Sequence, residues 1–201
     1  MQGEYKAKCK AWQICIFFAK PQPILCKMCT FGRELFPALF ILHMKNEELT
    51  IAYALLSFEE LPADEQTLVK LAEEATQTSY APYSHFHVGA ALQLEGNVRI
   101  AGSNQENAAF GAGTCAERSA LFYAHSSHPE AAVEAIAITA RGTNGELTDC
   151  PISPCGICRQ ALLEAQNRAG KPIRVLLCGK RHIIRLTGIE NLLPFAFNEI
   201  V

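Results

Sequence analysis

Two short cysteine-bearing segments constrain this chain more than any other feature. One reads Thr114-Cys115-Ala116-Glu117-Arg118, the other Ser153-Pro154-Cys155-Gly156-Ile157-Cys158-Arg159-Gln160, with Cys115 and Cys155 forty positions apart. Both stand where the pattern predicts a helix to begin: the Ala- and Leu-rich residues 114–126, with Thr114 as the cap, and residues 156–166. Cys155 and Cys158 are three apart, so on a first helical turn both sulfurs face one point. The free backbone N–H groups and the helix dipole there favour thiolate. Pro154 suits such an opening because it has no N–H to leave unpaired. If the two helix starts converge, Cys115 adds a third sulfur. Three thiolates with one open position describe a catalytic zinc site rather than a structural one.

The rest of the pattern predicts the frame that could bring them together. Residues 63–78 place Leu68, Leu71, Ala72 and Ala75 on one helical face, with Lys70, Glu73 and Glu74 largely on another. Phe86, Val88, Ala90, Leu92 and Leu94 alternate as a half-buried strand, and Glu95-Gly96-Asn97 turns it into a second strand, Val98–Ser103. Residues 133–139, 173–178 and 182–187 read as further strands, and 189–193 as a last helical turn before Pro194. Strands interleaved with helices predict a layered α/β sandwich around one mixed sheet. A chain of 201 residues suffices for one domain with a substantial core. No run of 18 uncharged apolar residues is present, so no membrane-spanning helix is expected.

The formal charge of −2 conceals a seam. Residues 1–43 carry six Lys/Arg against Glu4 and Glu34, a net of +4, while residues 44–201 carry −6. The first stretch shows no sustained period and contains Pro21, Pro23 and Pro37; regular patterning starts at Met44. The expected organisation is a peripheral extension over 1–43 and a domain over 44–201. Three readings of the extension stay open. Translation could start at Met44, which is the leading reading. Cys26 and Cys29 form a lone Cys-x-x-Cys that would need two more ligands to hold a metal. The apolar run after the first lysines faintly resembles a signal peptide, with a poor cleavage site at Lys20-Pro21.

Glu117 turns a metal site into a candidate active site. Two residues after Cys115, it would project near the open position without binding the metal. Zinc brings the pKa of a bound water to about 7. A carboxylate beside it can take the water's proton and deliver it to a ring nitrogen and a leaving amine. Three thiolates leave Zn²⁺ at a formal −1, and Arg118 and Arg159, each directly after a site residue, are available to hydrogen-bond the sulfurs. A lone Cys-x-x-Cys is as well read as half a structural site, a redox pair or two buried thiols, and Cys-Ala-Glu alone means little. Their ordered conjunction is far more specific: zinc nucleobase deaminases carry His-x-Glu and then Pro-Cys-x-x-Cys, with Cys replacing His in Cys₃ sites.

The match extends further. Tyr83-Ser84-His85-Phe86-His87-Val88-Gly89-Ala90-Ala91, Asn104-Gln105-Glu106-Asn107-Ala108 and Leu192-Leu193-Pro194-Phe195-Ala196-Phe197 flank the cysteine segments in order. With them the chain, from about Leu68 to Phe197, resembles the small, homotetrameric, Cys₃-zinc class of cytidine deaminases. That resemblance implies a three-layer α/β/α sandwich with a mixed five-stranded sheet. It also implies hydrolytic deamination of cytidine and 2′-deoxycytidine in pyrimidine salvage, one Zn²⁺ per subunit, a cytoplasmic homotetramer, and active sites completed by neighbouring subunits. By position, Cys115, Cys155 and Cys158 would hold zinc and Glu117 would move protons. Asn104 and Glu106 would bind the ribose, chiefly its 3′-hydroxyl, Phe86 would lie against the pyrimidine, and the Ala116 N–H would meet the base carbonyl. Phe197 would stack on the base from a neighbouring subunit. Without that context, turn chemistry would be the better account of Asn104 and Glu106, and core packing of Phe86 and Phe197. Family members often have Tyr where this chain has Phe110.

Cys150 reads as a bystander and Cys178 as a buried hydrophobe; His85 and His87 are given no metal role. Two other functions fit parts of the pattern. A different aminopyrimidine nucleoside could be the substrate; a base within RNA or DNA is opposed by the acidic domain, because phosphates need a basic surface. A noncatalytic zinc module would close the metal with a fourth protein ligand, Cys150 or one from the extension, and would leave Asn104, Glu106 and Glu117 without a role.

Overall fold

In β4 (Val133–Arg141) and β5 (Arg174–Cys178), odd and even positions are buried on opposite sides of one sheet, and this alternation builds the fold. The structure is a computed structural model and describes residues 47–198. The expectations for residues 1–43, Cys26 and Cys29 included, lie outside them. Ile136, Ile138, Val175 and Leu177 point to one face, where they meet Ala120, Leu121 and Ala124 of α2 (Ala116–Ser127) and Leu162 and Leu163 of α3 (Gly156–Ala169). Ala135, Ala137, Leu176 and Cys178 point to the other, against Leu68, Val69 and Ala72 of α1 (Ala63–Ala75). These are the three layers expected. Each large aliphatic side chain buried here contributes roughly 1.5–3 kcal/mol.

The sheet has six strands in the order β1-β6-β5-β4-β2-β3, with β1 Ala54–Leu56, β2 His87–Leu94, β3 Val98–Ser103 and β6 Ile183–Thr187. All neighbours are antiparallel except β4 and β5. The strand beyond the five expected is β1, which adds an edge to β6 and pairs Ala54 with Arg185. Its three residues are too few to show any alternation. The parallel β4–β5 pair requires a crossover, and α3 is that crossover.

Helix ends differ from the expectation in two places. Cys115, not Thr114, is the N-cap of α2, and its side chain makes no capping bond. Its sulfur is turned toward other sulfurs instead. The third helix runs to Ala169 and stops at Gly170, whose left-handed φ of 64° favours glycine. At the start of α1 the buried Glu65 carboxylate lies 3.1 Å from Arg174 Nε and 3.0 Å from Arg185 Nη2, tying that helix to β5 and β6. Among the described residues no helix is long and apolar enough to cross a membrane.

Two glycines let helices touch the sheet. A Cβ on Gly89 would collide with the Ala72 carbonyl of α1. One on Gly102 of β3 would lie 2.6 Å from the Ala120 nitrogen and 2.9 Å from the Ala116 carbonyl oxygen of α2. Gly102 therefore sets the height of the helix whose first residues follow Cys115. Gly102→Ala is expected to cost about 1–3 kcal/mol in urea unfolding. It is also expected to weaken metal retention, because the methyl lifts Cys115 away from Cys155.

Candidate active site

The two helix starts do converge. Cys115 and Cys155 are N-caps of α2 and α3, both with extended backbone, and Cys158 is the third residue of α3. The Sγ atoms of Cys115 and Cys155 are 3.8 Å apart and those of Cys155 and Cys158 are 3.3 Å apart, and all three sulfurs lie within 4.8 Å of one another. Tetrahedral zinc with Zn–S bonds of ~2.3 Å would set its sulfurs ~3.8 Å apart, so this donor set fits that ion. Among the described residues the group has three members, and Cys150 is not one of them. Pro154 precedes the N-cap of α3, one residue outside the helix.

The charge around the sulfurs is arranged by their neighbours. The Cys158 thiol donates toward Cys115, Arg118 adds to the effect, and the Cys115 thiol is lowered to about 5. Cys158 is pushed in the opposite direction, because its neighbour takes the first negative charge. Arg118 Nη2 lies 3.9 Å from Cys115 Sγ. Arg159 differs from expectation. Its Nε donates to Pro154 O at 2.8 Å, Nη1 to Leu192 O at 2.8 Å and Nη2 to Ser153 Oγ at 2.9 Å. Carbonyl and hydroxyl oxygens are better acceptors than a sulfur, and they occupy all three nitrogens. Arg159 thus braces the loop before α3 and the C-terminal segment. Cys178 is buried, with its thiol pushed up to about 12 by that burial, the behaviour of an inert hydrophobe.

A cavity of about 730 Å³ opens over the sulfurs and is lined by Phe86, Asn104, Glu106, Cys115, Glu117 and Cys155 among others. Its size suits a small molecule. Glu117 is only 4% exposed. Burial pushes its carboxyl up from the ordinary glutamate range, and the charge on Cys115 adds to the rise. Ala116 is buried as the first residue of α2, where backbone N–H groups have no partner within the helix.

Asn104 and Glu106 lie on a segment clamped at both sides. Gln105 exchanges both backbone bonds with Thr114, each 2.9 Å, and Tyr80 N donates to Asn104 O while Glu106 N donates to Tyr80 O. The residue just before Cys115 is thereby held against the residue between Asn104 and Glu106. The Glu106 carboxylate accepts the Tyr83 N–H at 2.9 Å, the Ser84 N–H at 3.2 Å and the Ser84 hydroxyl. These bonds, the Ser84 hydroxyl foremost, lower its pKa.

Phe197 does not line this chain's own cavity. It is 66% exposed, and its carbonyl accepts from Gln160 Nε2 at 2.7 Å. Sequence reasoning missed Gln160 and the Ser84–Glu106 contact. Ser84 directly follows the Pro82-Tyr83 turn, a usable signal, whereas nothing local marks Gln160. Phe110 is wholly exposed at the cavity rim.

The chain is similar to proteins of known family. The family described as the cytidine and deoxycytidylate deaminase zinc-binding region matches residues 62–170. A cytidine deaminase from Halalkalibacterium halodurans is 40% identical over 134 residues, covering 67% of this chain and 94% of that protein. One from Sporosarcina psychrophila is 37% identical over 136 residues, 68% and 93% of the two chains. The crystal structure of cytidine deaminase from Burkholderia pseudomallei superposes with a TM-score of 0.56 at 38% identity, over 65% of this chain and 97% of that one. That of the Mycobacterium tuberculosis enzyme does so with 0.54 at 29% identity, over 69% and 100%.

The lowered Glu106 pKa makes a testable link. A depressed carboxylate stabilises the fold above its unfolded pKa and loses that contribution as pH falls through the folded value. Wild type should therefore exceed Glu106→Gln in urea-unfolding stability at pH 7. The gap should shrink only below the usual glutamate range; a gap that is constant down to pH 3 would contradict the assignment.

Proposed function

The chain belongs to the cytidine and deoxycytidylate deaminase family, and we propose that it hydrolyses cytidine and 2′-deoxycytidine to uridine and 2′-deoxyuridine, with release of ammonia in pyrimidine salvage. One observation carries the reading: a buried carboxyl, Glu117, stands beside three convergent cysteine sulfurs at a cavity that Asn104 and Glu106 also line. Cys115, Cys155 and Cys158 hold one Zn²⁺ per chain. Bound there, zinc supplies a Lewis acid that brings a water's pKa to about 7. Glu117 receives a proton from the attacking water and delivers it to N3 of the pyrimidine as the oxygen joins C4. It then moves the remaining hydroxyl proton at C4 to the exocyclic amine, which departs as ammonia. A carboxyl with a raised pKa is matched to taking and giving protons in turn.

Asn104 and Glu106 orient the ribose through its 3′-hydroxyl, Phe86 lies against the base, and the Ala116 N–H meets the base carbonyl. Arg118 tempers the charge of the thiolates. The lining carries the carboxyls of Glu106 and Glu117, and its one arginine is committed to Cys115. A nucleoside is therefore preferred over its 5′-phosphate, and the net −6 of residues 44–201 disfavours a nucleic-acid polymer. Those residues form the deaminase domain. The functional unit is a homotetramer in which Phe197 stacks on a neighbour's base. Its exposure supports this, as does that of Phe122, Tyr123 and Ile157 on α2 and α3. Three thiols kept for zinc suit the reducing cytoplasm.

In Glu117→Gln, zinc content should be unchanged while kcat on cytidine falls by about 10²–10⁴-fold. Cys158→Ser should lose zinc, read by elemental analysis. Wild type should turn over cytidine with a far higher kcat/KM than cytidine 5′-monophosphate; the reverse order would overturn the nucleoside assignment.

A further inference from the structure

Asn104 has almost no hydrogen-bonding capacity left for a ligand, and what remains is dictated by groups behind it. Its Oδ1 accepts from the Ser79 hydroxyl at 2.6 Å and from the Val88 N–H at 2.8 Å, which fills both lone pairs. Its Nδ2 donates one hydrogen to Phe86 O at 2.9 Å. One N–H of the amide is left over.

Behind Ser79 stands His87, with Nδ1 3.1 Å from Ser79 Oγ. Ser79 has a single hydroxyl proton, and an O···O separation of 2.6 Å places that proton between Ser79 Oγ and Asn104 Oδ1. Ser79 must then accept from His87, so Nδ1 carries a hydrogen. His87 N–H to Ser79, Ser79 O–H to Asn104 is thus a one-way chain. Reversing the Asn104 amide would set its NH₂ against the Val88 N–H and its oxygen against the Phe86 carbonyl. Both His87 and Ser79 are half-buried.

We infer that His87 and Ser79 are positioning residues for substrate binding: with the Val88 N–H and the Phe86 carbonyl they hold the Asn104 amide so that its free Nδ2–H is presented to a sugar hydroxyl. The inference rests on the proposed role of Asn104 at the ribose. The chemistry is complementary, since a hydroxyl accepting from Asn104 can donate to the Glu106 carboxylate. It gives His87 a function other than metal binding.

The test is steady-state kinetics of the zinc-loaded enzyme on cytidine and on 3′-deoxycytidine, which lacks the hydroxyl. Ser79→Ala and His87→Ala should each raise KM for cytidine about 5-fold, the effect of one neutral hydrogen bond, with kcat within about 2-fold. Ser79→Thr keeps the hydroxyl and should restore the wild-type KM. The double variant should be no worse than Ser79→Ala, because the two bonds act in series. On 3′-deoxycytidine the variants should match wild type. Equal losses on both substrates, or a fall in kcat with KM unchanged, would assign the pair a merely structural role and overturn the inference. If Asn104→Ala raises KM while Ser79→Ala and His87→Ala do not, the inference fails and the function proposed above stands. If Asn104→Ala leaves KM unchanged, the ribose role of Asn104 fails and the inference falls with it.

Discussion

The meeting of two helix N-termini at three sulfurs is the contact on which the rest of this structure depends. It is an unfavourable arrangement without compensation. Two N-caps that could have been Ser or Asp are cysteines that make no capping bond, and their sulfurs are crowded within 4.8 Å. Several features offset this. The dipoles of α2 and α3 point positive ends at the sulfurs, Arg118 reaches Cys115, and both helices are held by apolar packing on the same sheet face. The zinc-thiolate chemistry proposed for the site would use that stored negative charge.

The same contact explains why Glu117 is where it is. A residue two positions beyond an N-cap lies in the first turn of α2, close to Cys115 yet turned into the cavity. Burial there raises its carboxyl pKa, which a solvent-facing glutamate would not experience. The clamp between Thr114 and Gln105 carries the register of the sulfurs into the Asn104–Glu106 segment. The residues proposed to bind the sugar and to move protons therefore share one hydrogen-bonded frame, as preorganised catalysis requires.

Much of this could be read from the chain. Periodicity located α1 and β2, the Glu95-Gly96-Asn97 turn located β3, and the cysteine spacing announced the site. What could not be read depended on distant partners. The strand β1 is stabilised by pairing with β6 rather than by any pattern of its own. Arg159 stands beside a cysteine in sequence but finds better acceptors in Pro154, Ser153 and Leu192. The ligand role proposed for Asn104 came from the resemblance alone, while the bonds that spend most of its amide on Ser79, Val88 and Phe86 emerge only from tertiary structure.

The cysteine cluster and Glu117, with the cavity they border, are proposed to deaminate a pyrimidine nucleoside. The most direct measurement follows the zinc-loaded wild-type protein with cytidine by ultraviolet absorbance and by ammonia release. The expected result is loss of the cytidine band, with uridine and ammonia appearing in equal amounts. Zinc-loaded, folded protein that is inert on both cytidine and 2′-deoxycytidine would contradict it.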